Sequence, residues 1–242
     1  VVMVGYDTDT ESEGSDRTFD LPDPQNELIC NVASKVKNVI VVANSGGGFN
    51  FMPWIYNVKG VIMAWYPGQE GGTALANILK GTVNPSGKLP MSIEKKWEDN
   101  PVHDNFFSKN GEKEITYQEG LFYGYRGYDA QDKRPLFPFG FGLSYTTFSY
   151  SDIKAQPLGK NRLRVTFKVT NTGKRAGAEI VQLYLHDDKC SVDRPQKELK
   201  GFTKVALQPG ESKDVSITID NTALSFYDES SHAWKSEPGT FT

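Results

Sequence analysis

Cysteine is scarce in this sequence: its 242 residues contain two, Cys30 and Cys190. They lie far apart and match neither a disulfide framework nor a metal-ligand spacing, so free thiols are expected. Histidine is scarce as well, with three residues. His103, His186 and His232 are widely separated, and none has a partner at ligand or triad spacing, so neither a metal site nor a Ser-His-Asp nucleophile is expected. No cofactor is implied. Long apolar runs are absent too: Val39–Ala43 and Val61–Trp65 fall far short of the roughly 20 residues a membrane helix needs. No membrane partner is expected. The formal charge of −3 is spread along the chain with no basic stripe, which leaves nothing for a phosphate backbone to grip and argues against nucleic acid.

What is present divides into two textures. From Val1 to about Leu89, short β-rich runs (Val1–Gly5, Val39–Ala43, Gly60–Trp65) alternate with helical stretches, the pattern of an α/β layer with a parallel sheet. Asp23 as N-cap with Pro24 behind it opens the first helix, whose apolar stripe is Leu28, Ile29, Val32 and Val36. A second helix is expected over residues 73–80, closed by Gly81. From about Ser144 the alternation becomes strict. Leu163, Val165, Phe167 and Val169 point one way and Arg162, Arg164, Thr166 and Lys168 the other; Val181, Leu183, Leu185 and Val215, Ile217, Ile219 repeat the pattern, with turns at Asn171-Thr172-Gly173 and Gln208-Pro209-Gly210. An all-β sandwich follows. Between the two lies a stretch rich in aromatics, Gly and Pro, including Tyr123-Gly124-Tyr125-Arg126-Gly127-Tyr128 and residues 137–142; so many rings predict an ordered, packed connector. The domain expectation is therefore 1–110, 111–143 and 144–242. Val1–Val4 already reads as a buried strand, and Pro238–Thr242 as a turn opening a strand, so a fragment cut at both ends is expected.

Several segments, in order, resemble glycoside hydrolase family 3. They are ESEGSDR (Glu11–Arg17) with Leu21-Pro22, AWYPGQEGG (Ala64–Gly72), GTVNPSGKLP (Gly81–Pro90), the run Tyr117–Arg126, and PFGFGLSYTTF (Pro138–Phe148). The resemblance implies a β-glucosidase-type enzyme with a (β/α)8 barrel, an α/β sandwich domain and a fibronectin-type-III-like domain. This chain would hold a partial α/β sandwich domain and a truncated fibronectin-type-III-like domain, with the barrel absent. It further implies retaining hydrolysis of terminal β-D-glucosyl residues on a β-glucoside or short β-glucan. The barrel would carry the nucleophile, and the chain by itself should be inactive. Export to the cell exterior or periplasm is the favoured location, and a homodimer is compatible with the family. Alternatives are a β-xylosidase, a β-N-acetylglucosaminidase, or a non-catalytic carbohydrate-binding or structural module.

Retaining glycosidases need two carboxyl groups, one a nucleophile and one a proton shuttle. The position matching the family's acid/base is Glu13, in a loop after a strand and before a helix, where open α/β sheets present functional groups. Loop position alone leaves Glu11 and Glu70 as rivals, and an ordinary solvated acid is the bland reading of each. Asp16 and Arg17 are expected to form a charge pair that pins the loop, Glu70 to charge a helix N-terminus, and Glu119 to pair with Arg126. Trp54, Trp65, Tyr66, Tyr123 and Tyr125 could wall a leaving-group subsite, although most aromatics are core. Ser45-Gly46-Gly47-Gly48 lacks the ending of a phosphate loop and reads as a strand-end turn.

Overall fold

Three short β-branched runs pair in parallel to begin the chain: β1 (Val2–Gly5), β2 (Ile40–Asn44) and β3 (Gly60–Met63), in the order β1-β2-β3. A computed structural model describes residues 1–107, 114–159 and 162–242. Val2 and Val4 pair with Val41 and Ala43, which are fully buried, so the centre of the sheet is sealed by side chains that favour extended backbone. Gly5 ends β1 where any Cβ would collide with the carbonyl oxygen of Asn44, and its backbone is held by both amide atoms of Gln25 at 2.8 Å.

Gln25 belongs to α1 (Asp23–Lys35). The cap is Pro22 rather than Asp23, and no side chain caps the helix; Asp23 sits in the first turn, where its charge meets the positive end of the helix dipole. The expected apolar stripe is thinner than its spacing suggested. Ile29 is buried, whereas Leu28 and Val36 are exposed. The second helix, α2 (Gly71–Leu79), starts two residues earlier than expected and is followed by Gly81, which has φ 72° and donates to Ile78 O.

The chain forms two compact units, one of Val1–Thr82 with Met91–Phe139, the other of Val83–Pro90 with Gly140–Thr242. In the first, Phe49 stacks on Phe51 at 4.2 Å, and Phe51 meets Trp54 at 5.4 Å and Phe137, from the aromatic stretch, edge-on at 5.7 Å. A short helix, α3 (Tyr125–Ala130), follows, and Tyr125 stacks on Phe139 at 4.7 Å. The expected boundary at residues 110 and 111 lies outside the described residues.

The second unit is an antiparallel sandwich. One sheet has the order β4-β5-β8 (Phe148–Gly159, Arg162–Asn171, Ser212–Ile219), the other pairs β6 with β7 (Gly177–Leu185, Glu198–Leu207). Register puts Val165 opposite Ile217 and Phe167 opposite Val215, and these residues share one core with Val169, Val181, Leu185, Val205 and Leu207. The segment Val83–Pro90 is woven into this unit. Leu89 and Gly140–Phe141 exchange backbone bonds, Asn84 Oδ1 accepts from Ser144 Oγ and Tyr145 N, and Lys88 Nζ donates to Gly142 O while pairing with Glu179 at 3.2 Å.

Candidate active site

The loop between β1 and α1 leaves the carboxyl ends of the parallel strands and folds back on itself. Ser12 and Ser15 form a one-rung antiparallel bridge with their hydroxyls 3.0 Å apart, and the turn they enclose is Glu13-Gly14. Gly14 has φ 83°, a conformation that L side chains rarely adopt, and nothing lies within 4 Å of where its Cβ would be. Glu13 therefore stands at the tip of a tight turn. It is exposed, and among the described residues it has no hydrogen-bond or ion-pair partner.

Two residues away the situation is opposite. Glu11 accepts from Arg17 Nε at 2.7 Å, from the Gly46 backbone N–H at 2.8 Å, and from the hydroxyl of Tyr66. Burial opposes ionisation of this carboxyl, but the bonds from Tyr66, Gly46 and Arg17 together with the Arg17 charge outweigh it and hold its pKa below the usual carboxylate value. A carboxyl kept ionised is a poor proton donor at neutral pH. The same bond raises the pKa of the Tyr66 hydroxyl, because ionising the phenol would break it and set two anions together.

Arg17 is the hub. Besides Glu11 it donates to Gly48 O at 2.9 Å, Thr18 O at 3.0 Å and Ser45 Oγ at 3.3 Å, and its guanidinium lies 4.1 Å from the centroid of the Tyr6 ring. Burial pushes the Tyr6 hydroxyl up to about 12, against the lowering effect of the Arg17 charge. The expected Asp16–Arg17 pair is corrected here: Arg17 does pin the loop, but through Glu11. Neighbours in extended chain point to opposite sides, so Asp16 faces away, onto a cavity of about 450 Å³ lined also by Phe106, Phe107, Ile115, Tyr117 and Glu119.

Ser45-Gly46-Gly47-Gly48 is a strand-end turn, as expected, and also the wall on which the clamp closes. A Cβ on Gly46 would press the Tyr66 ring at 3.2 Å, and one on Gly48 would press Ile93 at 3.3 Å. Tyr66 follows Trp65, whose φ of 54° is unusual for a bulky side chain. Glu70 immediately precedes α2 and is exposed, which fits the expected helix-charging role. Glu119 accepts from Asn105 Nδ2 at 2.6 Å instead of the expected Arg126, whose guanidinium lies 5.6 Å from the Tyr123 ring centroid and 5.8 Å from that of Tyr125. Trp54 is fully buried with Nε1 on Asn26, which makes it core and not a wall. Among the described residues no group of three His, Cys, Asp or Glu side chains is placed to hold a metal ion.

The chain thus combines an α/β unit that carries a carboxylate-bearing loop at its strand ends with a β-sandwich. Residues 1–145 match the model of the glycosyl hydrolase family 3 C-terminal domain and residues 179–242 that of the fibronectin type III-like domain, so the chain belongs to glycosyl hydrolase family 3. It is 49% identical over its whole length to thermostable β-glucosidase B of Acetivibrio thermocellus, and 47% identical over 96% of its length to a β-glucosidase of Bacteroides ovatus; it spans 32% of each. Among solved structures, a family 3 β-glucosidase of Bifidobacterium adolescentis is similar with a TM-score of 0.94 at 42% identity, covering 99% of this chain and 35% of the other. A β-glucosidase of Streptomyces venezuelae, in complex with D-glucose, is similar with a TM-score of 0.93 at 40% identity, covering 99% and 30%.

Proposed function

We propose that this chain supplies the general acid/base of a retaining β-glucosidase, with Glu13 as the proton shuttle. The substrate is a terminal, non-reducing β-D-glucosyl residue in a β-glucoside or short β-glucan. The nucleophile comes from the N-terminal part that the relatives possess and these residues do not include. The observation that carries the reading is the contrast between neighbouring carboxyls: Glu11 is consumed by three donors, while Glu13 is exposed at the turn tip with no bonding partner among the described residues.

In the first half of the reaction, a protonated Glu13 gives its proton to the glycosidic oxygen as the bond to C1 breaks and the nucleophile takes the sugar. In the second half, the resulting carboxylate takes a proton from water as that water displaces the enzyme from C1. A carboxyl on a turn tip can approach the bond from beyond its own unit, and retention requires it to end about 5–5.5 Å from the nucleophile.

The test uses the enzyme in which this chain is joined to the N-terminal part its relatives have. Glu13→Ala is expected to cut cellobiose turnover roughly 10²–10⁴-fold, the usual worth of a positioned acid. The first turnover of 2,4-dinitrophenyl β-glucoside, whose leaving group needs no proton, should be largely spared. Azide should restore turnover and yield β-glucosyl azide. Cellobiose hydrolysis near the wild-type rate would remove Glu13 from the role.

A further inference from the structure

A catalytic carboxyl has to be held to within about half an ångström to work well, and among the described residues Glu13 has no partner of its own to hold it. Its turn is closed by a single bridge and one hydroxyl pair, and a lone two-stranded hairpin is marginal in water. The residues on either side of that bridge are different. Glu11 precedes it and Arg17 follows it; they are joined to each other at 2.7 Å, with side chains only 20% and 15% exposed. Both are tied to the turn after β2, Glu11 through Gly46 N and Arg17 through Gly48 O.

Tyr66 adds a third strand end. Its hydroxyl binds the same Glu11 oxygen, Oε2, that accepts from Gly46. Trp65, just before it, holds a left-handed backbone that costs on the order of 1–3 kcal/mol for a non-glycine residue and turns the chain sharply at the end of β3. The hairpin base is thus fastened to the ends of two neighbouring strands through one carboxylate.

We infer that Glu11 and Tyr66 are positioning residues for the acid/base. The ionised Glu11 carboxylate, gripped by Arg17, Gly46 and Tyr66, fixes the base of the hairpin and so fixes where the Glu13 carboxyl stands when the glycosidic oxygen needs its proton. This rests on the role proposed for Glu13. It assigns work to Glu11, the rival carboxyl, that is incompatible with its being the donor, since it is already committed as an acceptor on both oxygens.

The experiment compares Glu11→Gln, Tyr66→Phe, the double variant and Glu13→Ala in the full-length enzyme. Glutamine keeps the shape of Glu11 but loses the charge and one acceptor. Expected for Glu11→Gln is a fall in kcat on cellobiose of roughly 10–100-fold, the scale of a small misplacement of a catalytic group, with KM little changed. The first turnover of 2,4-dinitrophenyl β-glucoside should stay near wild type, and azide should give no rescue, because the carboxyl of Glu13 still fills its place. Tyr66→Phe, which removes one exposed hydroxyl and serves if Glu11→Gln folds poorly, should lower cellobiose kcat several-fold in the same selective way. The double variant should be little worse than Glu11→Gln alone, as expected of two groups acting through one contact.

Wild-type cellobiose kcat in both single variants would overturn the positioning role, and so would equal losses on both substrates, which would mark a general folding defect. Failure of the underlying reading looks different. Azide would then rescue a Glu11→Ala variant and not Glu13→Ala, moving the proton-donor role to Glu11 itself.

Discussion

Two glutamates separated by one serine carry opposite environments, and the difference is made by backbone geometry rather than by the residues themselves. Glu11 lies at the base of the turn, where it reaches the Gly46 backbone, and Glu13 lies at its tip, inside the Ser12–Ser15 bridge. Because the Glu11 pKa is depressed in the folded state, its clamp contributes stability that is complete above the unfolded carboxylate value of about 4.3 and is lost as pH falls through the lower folded value. The groups facing it are Arg17, Tyr66 and Tyr6, and both tyrosine hydroxyls are raised above their ordinary value, far from that acid range. Thermal melts of wild type and Glu11→Gln, run from pH 7 down to pH 3, should therefore show a gap that is constant near neutrality and closes in acid; a gap that widens in acid would contradict the assignment. The ring cluster offers a second check. Trp54 is fully buried against Phe49 and Phe51, so Trp54→Ala should cost about 3–5 kcal/mol in chemical denaturation. The motif singles out Glu13 as the proposed acid/base, whereas nothing in the sequence pointed to Tyr66 as a partner of Glu11. They are 55 positions apart, and a single hydrogen bond across that distance leaves no periodic trace.

Among the elements, the strands with one wet face were the most readable. β5 and β8 keep the register Leu163↔Ile219 through Thr170↔Ser212, and the residues expected inside are buried or partly buried. β4 gave no such signal. It is an edge strand with almost no buried residue, it contains Pro157, and Asp152 at φ 57° accompanies a register shift between Ser151 and Lys154. The turn at Asn171-Thr172-Gly173 was foreseen, though not what its first residue does. Asn171 is fully buried; its Oδ1 accepts from Thr146 Oγ1 at 2.7 Å and Gly173 N at 3.1 Å, and its Nδ2 donates to Arg175 O at 2.8 Å and Leu207 O at 3.2 Å. One amide thus ties the ends of β5 and β7 to the chain before β4. Asn171→Leu strands these groups without partners, and a loss of about 2–4 kcal/mol in urea unfolding is expected; a neutral result would mean that water replaces the amide.

At the scale of the molecule, the two sequence textures correspond to the two kinds of layer observed, a parallel sheet with helices and an antiparallel sandwich. If Glu13 is half of a catalytic pair, the 242 residues alone should release no p-nitrophenol from p-nitrophenyl β-glucoside above background, while the enzyme that includes the N-terminal part should; turnover by the chain alone would place both carboxyls within it. The connector packs as well, with Phe137 edge-on to the buried Phe51 ring and Tyr125 stacked on Phe139. Its other neighbour, Val83–Pro90, bears on inheritance. The sandwich is not a contiguous string of sequence: Asn84 and Lys88 bind its opening residues and Glu179 from a place far upstream. A recombination event that carried residues 144–242 into another gene would leave that segment behind, with the Glu179 carboxylate deprived of its cation and the start of β4 of its Asn84 anchor. Any lineage that shuffled this sandwich successfully had to move the upstream turn with it or evolve a substitute.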